Sequence, residues 1–355
     1  MAEGTAAAKH VPVMLRRCVE LLTPGIAALR EQGQIPVIVD ATLGMGGHTE
    51  AILAADSDVV VIGLDRDPQA LELASERLAV YTGRFRPVHA VFDHIGEVLD
   101  QQLPQIAASH GRAAGTAGIL FDLGVSSLQL DEAERGFAYS YDAPLDMRMN
   151  SSADSEEITA AELLATAEES ELRRIISDYG EERFAGRIAA GVVAARAKAP
   201  VTTTAQLAAL VDAAVPAAAK RTGGHPAKRT FQALRIAVNR ELEVLSAAIP
   251  AAMDALDVAG RLVVLSYHSL EDRPVKRAIA ARTSSSAPVG LPVELEEHRP
   301  TFRAVTRGAE TPDSQESDNN PRASSAKLRA AEKIRDDRGR GGVPQRATGR
   351  RKRSA

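Results

Sequence analysis

The chain has 355 residues, room for about two domains, and its 45% hydrophobic and 25% charged residues are ordinary globular values. Aromatics make up only 3% and Trp is absent, so the core must be built mainly from Ala, Val, Leu and Ile; the single cysteine, Cys18, excludes an intrachain disulfide and a cysteine-cluster metal site. The formal net charge is −4, yet seven Lys or Arg and no acid lie between Arg338 and Ala355, so positive charge is gathered at one end.

Residues 1–10 lack the apolar core of a signal peptide and no apolar run approaches a membrane span, so a cytoplasmic enzyme with no membrane partner is expected. Residues 13–22 read as a helix carrying a buried Cys18. Val37 to Val39 follow Pro36 as a short β-branched run, too uniform for an amphipathic helix and suited to a strand buried on both faces of a parallel sheet. Asp40 would end that strand, with Gly44, Gly46 and Gly47 turning into a helix near His48. A second strand, 59–65, ends in Asp65. Pro68 opens a helix continuing over 70–80, and 87–92 is a third strand. A helix from 94 to 103 and a Gly/Ala-rich connection, 109–118, lead to a fourth strand at 119–124. Strands alternating with helices imply a parallel sheet with right-handed crossovers.

The fifth strand, 261–267, lies about 135 residues further on, where a crossover needs little more than a dozen plus its helix. Most of the interval reads as helix, at 160–166, 171–179, 181–198 and 205–215, punctuated by Gly180, Pro200 and Gly223-Gly224. This predicts an α/β, Rossmann-like fold with an inserted all-helical domain: a first part of the sheet domain over 1–133, the insertion over 134–228, the second part over 229–334 and a basic, disordered tail over 335–355. The chain would return along helices at 231–249 and 251–256, and a helix at 270–281 would follow strand five. A flexible stretch at 283–292 and a polar loop at 310–320 separate two more strand candidates, 302–306 and 325–331, the latter also compatible with helix.

The glycine turn alone fits any tight strand–helix connection. Asp65, ~20 residues past the first glycine, stands where a carboxylate can take both hydroxyls of a ribose, and together they point to an adenosine-containing ligand. A dinucleotide would bring a pyrophosphate, usually met by G-x-G-x-x-G; here His48 and Thr49 follow Gly47, and Asp40 would repel phosphate but attract an ammonium. Charge therefore favours S-adenosylmethionine (SAM) over a dinucleotide.

Eight segments carry a family resemblance. They are His10-Val-Pro-Val, Asp40-Ala-Thr-Leu-Gly-Met-Gly-Gly-His48, Asp122-Leu-Gly-Val-Ser-Ser-Leu-Gln-Leu-Asp131, Glu134-Arg-Gly-Phe137, Pro144-Leu-Asp-Met-Arg-Met149, Tyr179-Gly-Glu-Glu-Arg-Phe184, His225-Pro-Ala-Lys-Arg-Thr-Phe-Gln-Ala-Leu-Arg-Ile236 and Ser266-Tyr-His-Ser-Leu-Glu-Asp272, with the ribose acid Asp65 between. In this order, from His10 to Lys333, the chain resembles the bacterial ribosomal RNA small subunit methyltransferase H (RsmH/MraW) family. The resemblance implies a class I SAM-dependent methyltransferase sheet with a helical insertion, and methylation of the exocyclic N4 of a decoding-region cytidine in 16S rRNA on the small ribosomal subunit. Carried over by motif, the SAM contacts fall on Gly46, Gly47, His48, Asp65, Phe92, Asp122 and Gln129. The sequence departs from the family pattern at Met45 (commonly Arg), Leu128 (Pro), Ala143 (Gly), Asn150 (Asp) and Tyr267 (Phe), none of which removes a cofactor residue.

A cytosine amine is a poor nucleophile, so catalysis should rest on in-line placement plus a proton acceptor. Many amino-methyltransferases use Asp/Asn-Pro-Pro-aromatic after strand four; here the position reads Asp122-Leu-Gly-Val. The candidate acceptors are Asp122, Asp146 and His268, although Asp146 could instead pair with Arg148 and His268 could simply end a strand. Arg148, His225, Lys228, Arg229 and Arg235 are the candidate RNA contacts. No metal is expected, and a homodimer stays open. A methyltransferase for a small molecule or protein, a non-catalytic assembly factor and a dehydrogenase are the alternatives; the basic tail reads either as a solvated extension or as an RNA contact.

Overall fold

The computed structural model describes residues 12–150, 152, 157–220, 225–288, 294–320 and 322–336. The predicted strands and helices alternate as expected. Strands β1 (Ile35–Asp40), β2 (Val60–Asp65), β3 (Phe85–His89), β4 (Ala114–Asp122), β5 (Arg261–Ser266), β6 (Phe302–Ala304) and β7 (Lys327–Lys333) form one sheet in the order β3-β2-β1-β4-β5-β7-β6. The first five are parallel; β7 runs antiparallel to β5 and β6. This is the expected α/β, Rossmann-like arrangement. The 325–331 stretch, compatible with helix or strand on sequence alone, is strand: Leu328, Ala330 and Ala331 are buried where β7 pairs with β5.

Before strand five the helices are α1 (Leu15–Glu31), α2 (Gly47–Ala55), α3 (Pro68–Arg77), α4 (Ile95–His110), α5 (Ser127–Asp131), α6 (Ala160–Thr166), α7 (Glu169–Gly180), α8 (Ala185–Arg196), α9 (Thr204–Ala214), α10 (Ala217–Lys220), α11 (Ala227–Asn239) and α12 (Glu241–Ala255). Helices α13 (Ser269–Thr283) and α14 (Ser314–Asn319) follow it. Side chains alternate across each strand. Val37, Val39, Ile62, Phe121 and Val264 pack one face against α4, α12 and α13, while Ile38, Val61, Leu120 and Val263 face α1, α2 and Ala74 of α3. Both faces are buried, which is why the strands read as unbroken apolar runs.

Several elements outrun their sequence signals for a shared reason. Helices α1, α4 and α12 continue through Pro24, Pro104 and Pro250. All three prolines are exposed, so water can serve the carbonyl that loses its partner. Strand β4 begins at Ala114, inside the stretch read as a connection, because Gly115 and Gly118 are needed for close approach. A Cβ at Gly115 would lie 2.1 Å from Gln34 Oε1, and one at Gly118 2.6 Å from Leu22 Cδ2 of α1.

The interval between β4 and β5 holds a helical lobe with a core of its own, including Leu145, Leu164, Ile176, Ile188, Leu207 and Val211. Phe231, Ala233, Leu234 and Val238 of α11 belong to that core. Helix α11 packs along α7, so the lobe's packing continues past residue 228 to Asn239. The single helix expected over 231–249 breaks at Arg240, which takes a left-handed conformation (φ 51°). Of the expected flexible stretch, 289–292 lies outside the described residues, as do Gly223, Gly224, His10, the N-terminal decapeptide and the basic tail from 337 onward.

Candidate active site

Because β1, β2, β4 and β5 are parallel, their carboxyl ends share one edge of the sheet. The strand order reverses between β1 and β4, and a crevice opens at such a switch point. A cleft of about 400 Å³ lies there, walled by the loop after β1, the end of β2, Phe92, the β4–α5 turn, α11 and Tyr267-His268.

The glycine turn has the shape the sequence demands. Gly44 and Gly46 have φ of 51° and 76°, and a Cβ on Gly47 would stand 2.5 Å from Pro12 Cγ, where the N-terminal segment crosses the start of α2. Gly47 and His48 line the cleft; Gly46 turns toward Ala74 and Leu78 and is not in its lining. Asp65 lines the cleft with its carboxylate fixed at both oxygens, by Gly44 N–H at 2.8 Å and Asp67 N–H at 2.9 Å. Burial pushes its carboxyl up to about 6 in spite of those two donors.

Asp40 does not face the cleft. It is 1% exposed, its Oδ2 accepts from Thr49 Oγ1 at 2.7 Å, and burial raises its pKa. It ties β1 to α2 and is not in the lining, where an ammonium partner would have to stand.

The informative contact is between His48 and Asp122. His48 is buried, which lowers its pKa, and its Nε2 sits 3.1 Å from the Val13 carbonyl. A carbonyl only accepts, so Nε2 carries the hydrogen and Nδ1 is left as an acceptor. That Nδ1 lies 3.7 Å from Asp122 Oδ2, beyond hydrogen-bond reach. Asp122 Oδ1 accepts the Tyr267 hydroxyl at 2.6 Å, and its backbone N–H donates to Thr42 Oγ1 at 2.6 Å. Burial lifts the Asp122 carboxyl to about 7, opposed by the Tyr267 hydrogen bond and helped by the Glu271 charge. The same pairing, together with burial, drives the Tyr267 phenol upward, so it stays a donor. Two acceptors thus face one another across a gap that a donor with two hydrogens can bridge.

Phe92 lines the cleft, its ring edge-on to Phe121 at 5.6 Å. Gln129 does too, but its Oε1 is engaged: Ser126 and Gln129 form a capping box at the start of α5, with Ser126 N–H on Oε1 at 3.0 Å. Ser-x-x-Gln is a helix-start signature legible in the sequence; it leaves the amide NH₂ of Gln129 as the group available to a ligand. His268 also lines the cleft, with Nε2 3.1 Å from Glu271 Oε1. Glu271 was missed by sequence reasoning. It is 3% exposed and accepts the Tyr267 N–H at 2.7 Å. Burial alone would raise it, but contacts from His268, Arg235 and that N–H hold it below the usual carboxylate range.

Asp146 lies outside the cleft. Arg148 grips it through Nε and Nη2, both at 2.8 Å, and although burial pushes upward, that pairing holds its carboxyl low. The expected acceptor is thus paired and outside the cleft lining, and its pairing with Arg148 occupies that side chain as well. The 147–149 segment is held by another residue the sequence did not flag. Buried Asn239 accepts from Met149 N–H at 2.7 Å and donates to the Met147 and Arg235 carbonyls at 2.8 Å.

Of the expected RNA contacts, only Lys228 and Arg235 line the cleft. Arg235 is half-buried and bidentate with Glu241 at 2.8 and 3.0 Å, so it fixes the wall rather than offering a free cation. Lys228 and Arg229 are exposed in the first turn of α11; Arg229 donates to the Glu181 carbonyl at 3.2 Å. His225 is exposed and stacked on Tyr139. Among the described residues no group of His, Cys, Asp or Glu could hold a metal ion, and no helix is long and apolar enough to cross a membrane.

The model of the MraW methylase family matches residues 7–334. The chain belongs to that family. Among its relatives, the ribosomal RNA small subunit methyltransferase H of Pseudarthrobacter chlorophenolicus is 57% identical over 328 residues, 92% of this chain and 96% of that protein. The proteins of the same name from Saccharopolyspora erythraea and Thermobifida fusca are 56% and 57% identical, each over 94% of this chain and 96% of its own length. The chain is accordingly a methyltransferase.

Proposed function

We propose that this protein moves a methyl group from SAM to the exocyclic N4 of a decoding-region cytidine in 16S rRNA, acting in the cytoplasm on the small ribosomal subunit. The observation that carries this reading is the pair of facing acceptors, Asp122 Oδ2 and His48 Nδ1, at the end of β4. A primary amine presents two hydrogens to two acceptors, and the exocyclic amine of cytosine is such a group. The names of the relatives support small-subunit RNA as substrate, and the motif resemblance supports the cytidine.

The residues present fit the methyl donor. Gly44 and Gly124, at φ 51° and 94°, leave the cleft wall bare of side chains, and Asp65 offers a carboxylate to a ribose. Phe92 would lie against the adenine ring, while Gly47, His48 and Gln129 would border the amino-acid portion; Gly46 would act by shaping the turn. When bound, SAM supplies an electrophilic methyl on a positively charged sulfonium.

The chain's own residues do the rest. Asp122, with its carboxyl near 7, is poised to take the proton that N4 sheds at neutral pH. Tyr267 fixes the carboxylate and favours its ionised form. Burial of the site limits solvent reorganisation and strengthens these contacts. The helical lobe supplies the far wall through α11, and Lys228 with Arg229 would meet phosphates of the unpaired RNA. Cations in a helix's first turn are disfavoured by about 0.3–1 kcal/mol each, a cost that a bound phosphate offsets.

Small subunits from cells lacking the gene, incubated with the protein and labelled SAM, provide the test. Nucleoside mass spectrometry should find N4-methylated cytidine in 16S rRNA. Label on another nucleoside, or none, refutes the reading.

A further inference from the structure

One cluster on the lobe is not absorbed by the methyl-transfer site. The His225 and Tyr139 rings stack with centroids 4.4 Å apart and planes 16° from parallel. Tyr139 in turn sets its edge against Phe231, 5.7 Å away at 80°, a buried member of the lobe's core. His225 Nδ1 accepts the Ala227 N–H at 3.2 Å. The imidazole is thus held at one face and one edge, yet His225 is exposed, so the surface it offers is the face turned away from Tyr139. A flat ring, anchored to a core and bare on its outer side, gains nothing for the fold by that exposure.

Its surroundings fit one kind of occupant. Three residues on, Lys228 reaches the lining of the cleft, and the next residue, Arg229, is exposed and donates to the Glu181 carbonyl. The first turn of α11 carries no acid, and His225 itself accepts its first two N–H groups, Ala227 at Nδ1 and Lys228 at its carbonyl, so the exposed side chains of Lys228 and Arg229 supply the positive charge beside the ring. A π-face next to a phosphate-binding corner is the chemistry that holds an unpaired nucleotide.

We propose that His225, backed by Tyr139, is the stacking platform of a subsite for one unpaired nucleotide adjoining the methylated one, with its phosphate at the start of α11. This deepens the RNA reading above and rests on it. Methyl-transfer kinetics on small ribosomal subunits, with the full chain, His225→Ala and His225→Phe, provide the test. His225→Ala should raise the KM for subunits about tenfold, the loss of one stacked base, with kcat and the Kd for SAM unchanged. His225→Phe, which keeps a π-face, should restore KM to within about twofold.

An unchanged KM in His225→Ala, or equal impairment of both variants, overturns the subsite. So does a fall in SAM affinity or thermal midpoint on His225→Ala, which would mark the stack as merely structural. Single-stranded RNA carrying 2-aminopurine separates the two readings. Quenching that His225→Ala abolishes, in the absence of methyl transfer, supports the platform and refutes the substrate. Methyl transfer without such quenching refutes the platform alone.

Discussion

Replacing Tyr267 with Phe removes one hydroxyl and tests the proton acceptor directly. That hydroxyl donates to Asp122 Oδ1 at 2.6 Å. A hydrogen bond to a charged group contributes about 1.5–3 kcal/mol, and about 1.4 kcal/mol corresponds to one pKa unit. Removing it should therefore raise the Asp122 carboxyl, already pushed up to about 7 by burial, by at least about one unit. At neutral pH the ionised fraction would fall from about one half to about one tenth, and kcat with it about fivefold. The assay is kcat for methyl transfer across the neutral to alkaline range at saturating SAM. The acid limb should move up by about one unit while the alkaline plateau stays in place. A superimposable profile, or a lowered plateau with an unmoved limb, refutes Asp122 as the acceptor.

Asp122 and Asp65 both titrate above the ordinary carboxylate value in the folded chain. Between about pH 4 and about pH 7 the folded state therefore keeps protons that the unfolded chain has lost, so their stabilising effect is full below that window and lost as pH rises through it. Asp122→Asn should raise the thermal midpoint of the ligand-free protein by about 2–4 °C above neutrality, a gain that shrinks toward pH 4; a midpoint lowered at alkaline pH contradicts this. Asn239→Ala strips three hydrogen bonds from the 147–149 segment and the end of α11. It should cost about 2–4 kcal/mol in denaturant unfolding, and a loss below about 1 kcal/mol shows that water replaces the amide.

Much of the sheet was legible because its signal is local. Val37 to Val39 and the second strand are apolar on both faces, and the acids closing β2 and β4 mark the edge where ligands gather. Pro68, expected at a helix start, is the first residue of α3, with Asp67 as its cap. What stayed hidden depends on contacts between segments far apart or across a break. Arg235 is bound to Glu241 across the left-handed turn at Arg240, a spacing no helical rule anticipates. Nor could the sequence reveal that Val13 supplies the carbonyl that fixes the His48 tautomer, 35 residues away. The acidic stretch expected only as a loop contains α14, and its Glu310 and Glu316 clasp Arg17 and the Met14 N–H, holding the N-terminal segment over the glycine turn.

Asp65 is where the cofactor assignment is most exposed to test, since its carboxylate is held by Gly44 and Asp67 in a cleft-facing position. Calorimetric titration of SAM into the protein and into Asp65→Asn, above and below the carboxyl's value of about 6, measures what that carboxylate contributes. One SAM per chain is expected, with affinity falling as pH drops through about 6 and a Kd at least about tenfold weaker in the variant. The same Kd for both proteins above that value, where the carboxylate is ionised, contradicts the site.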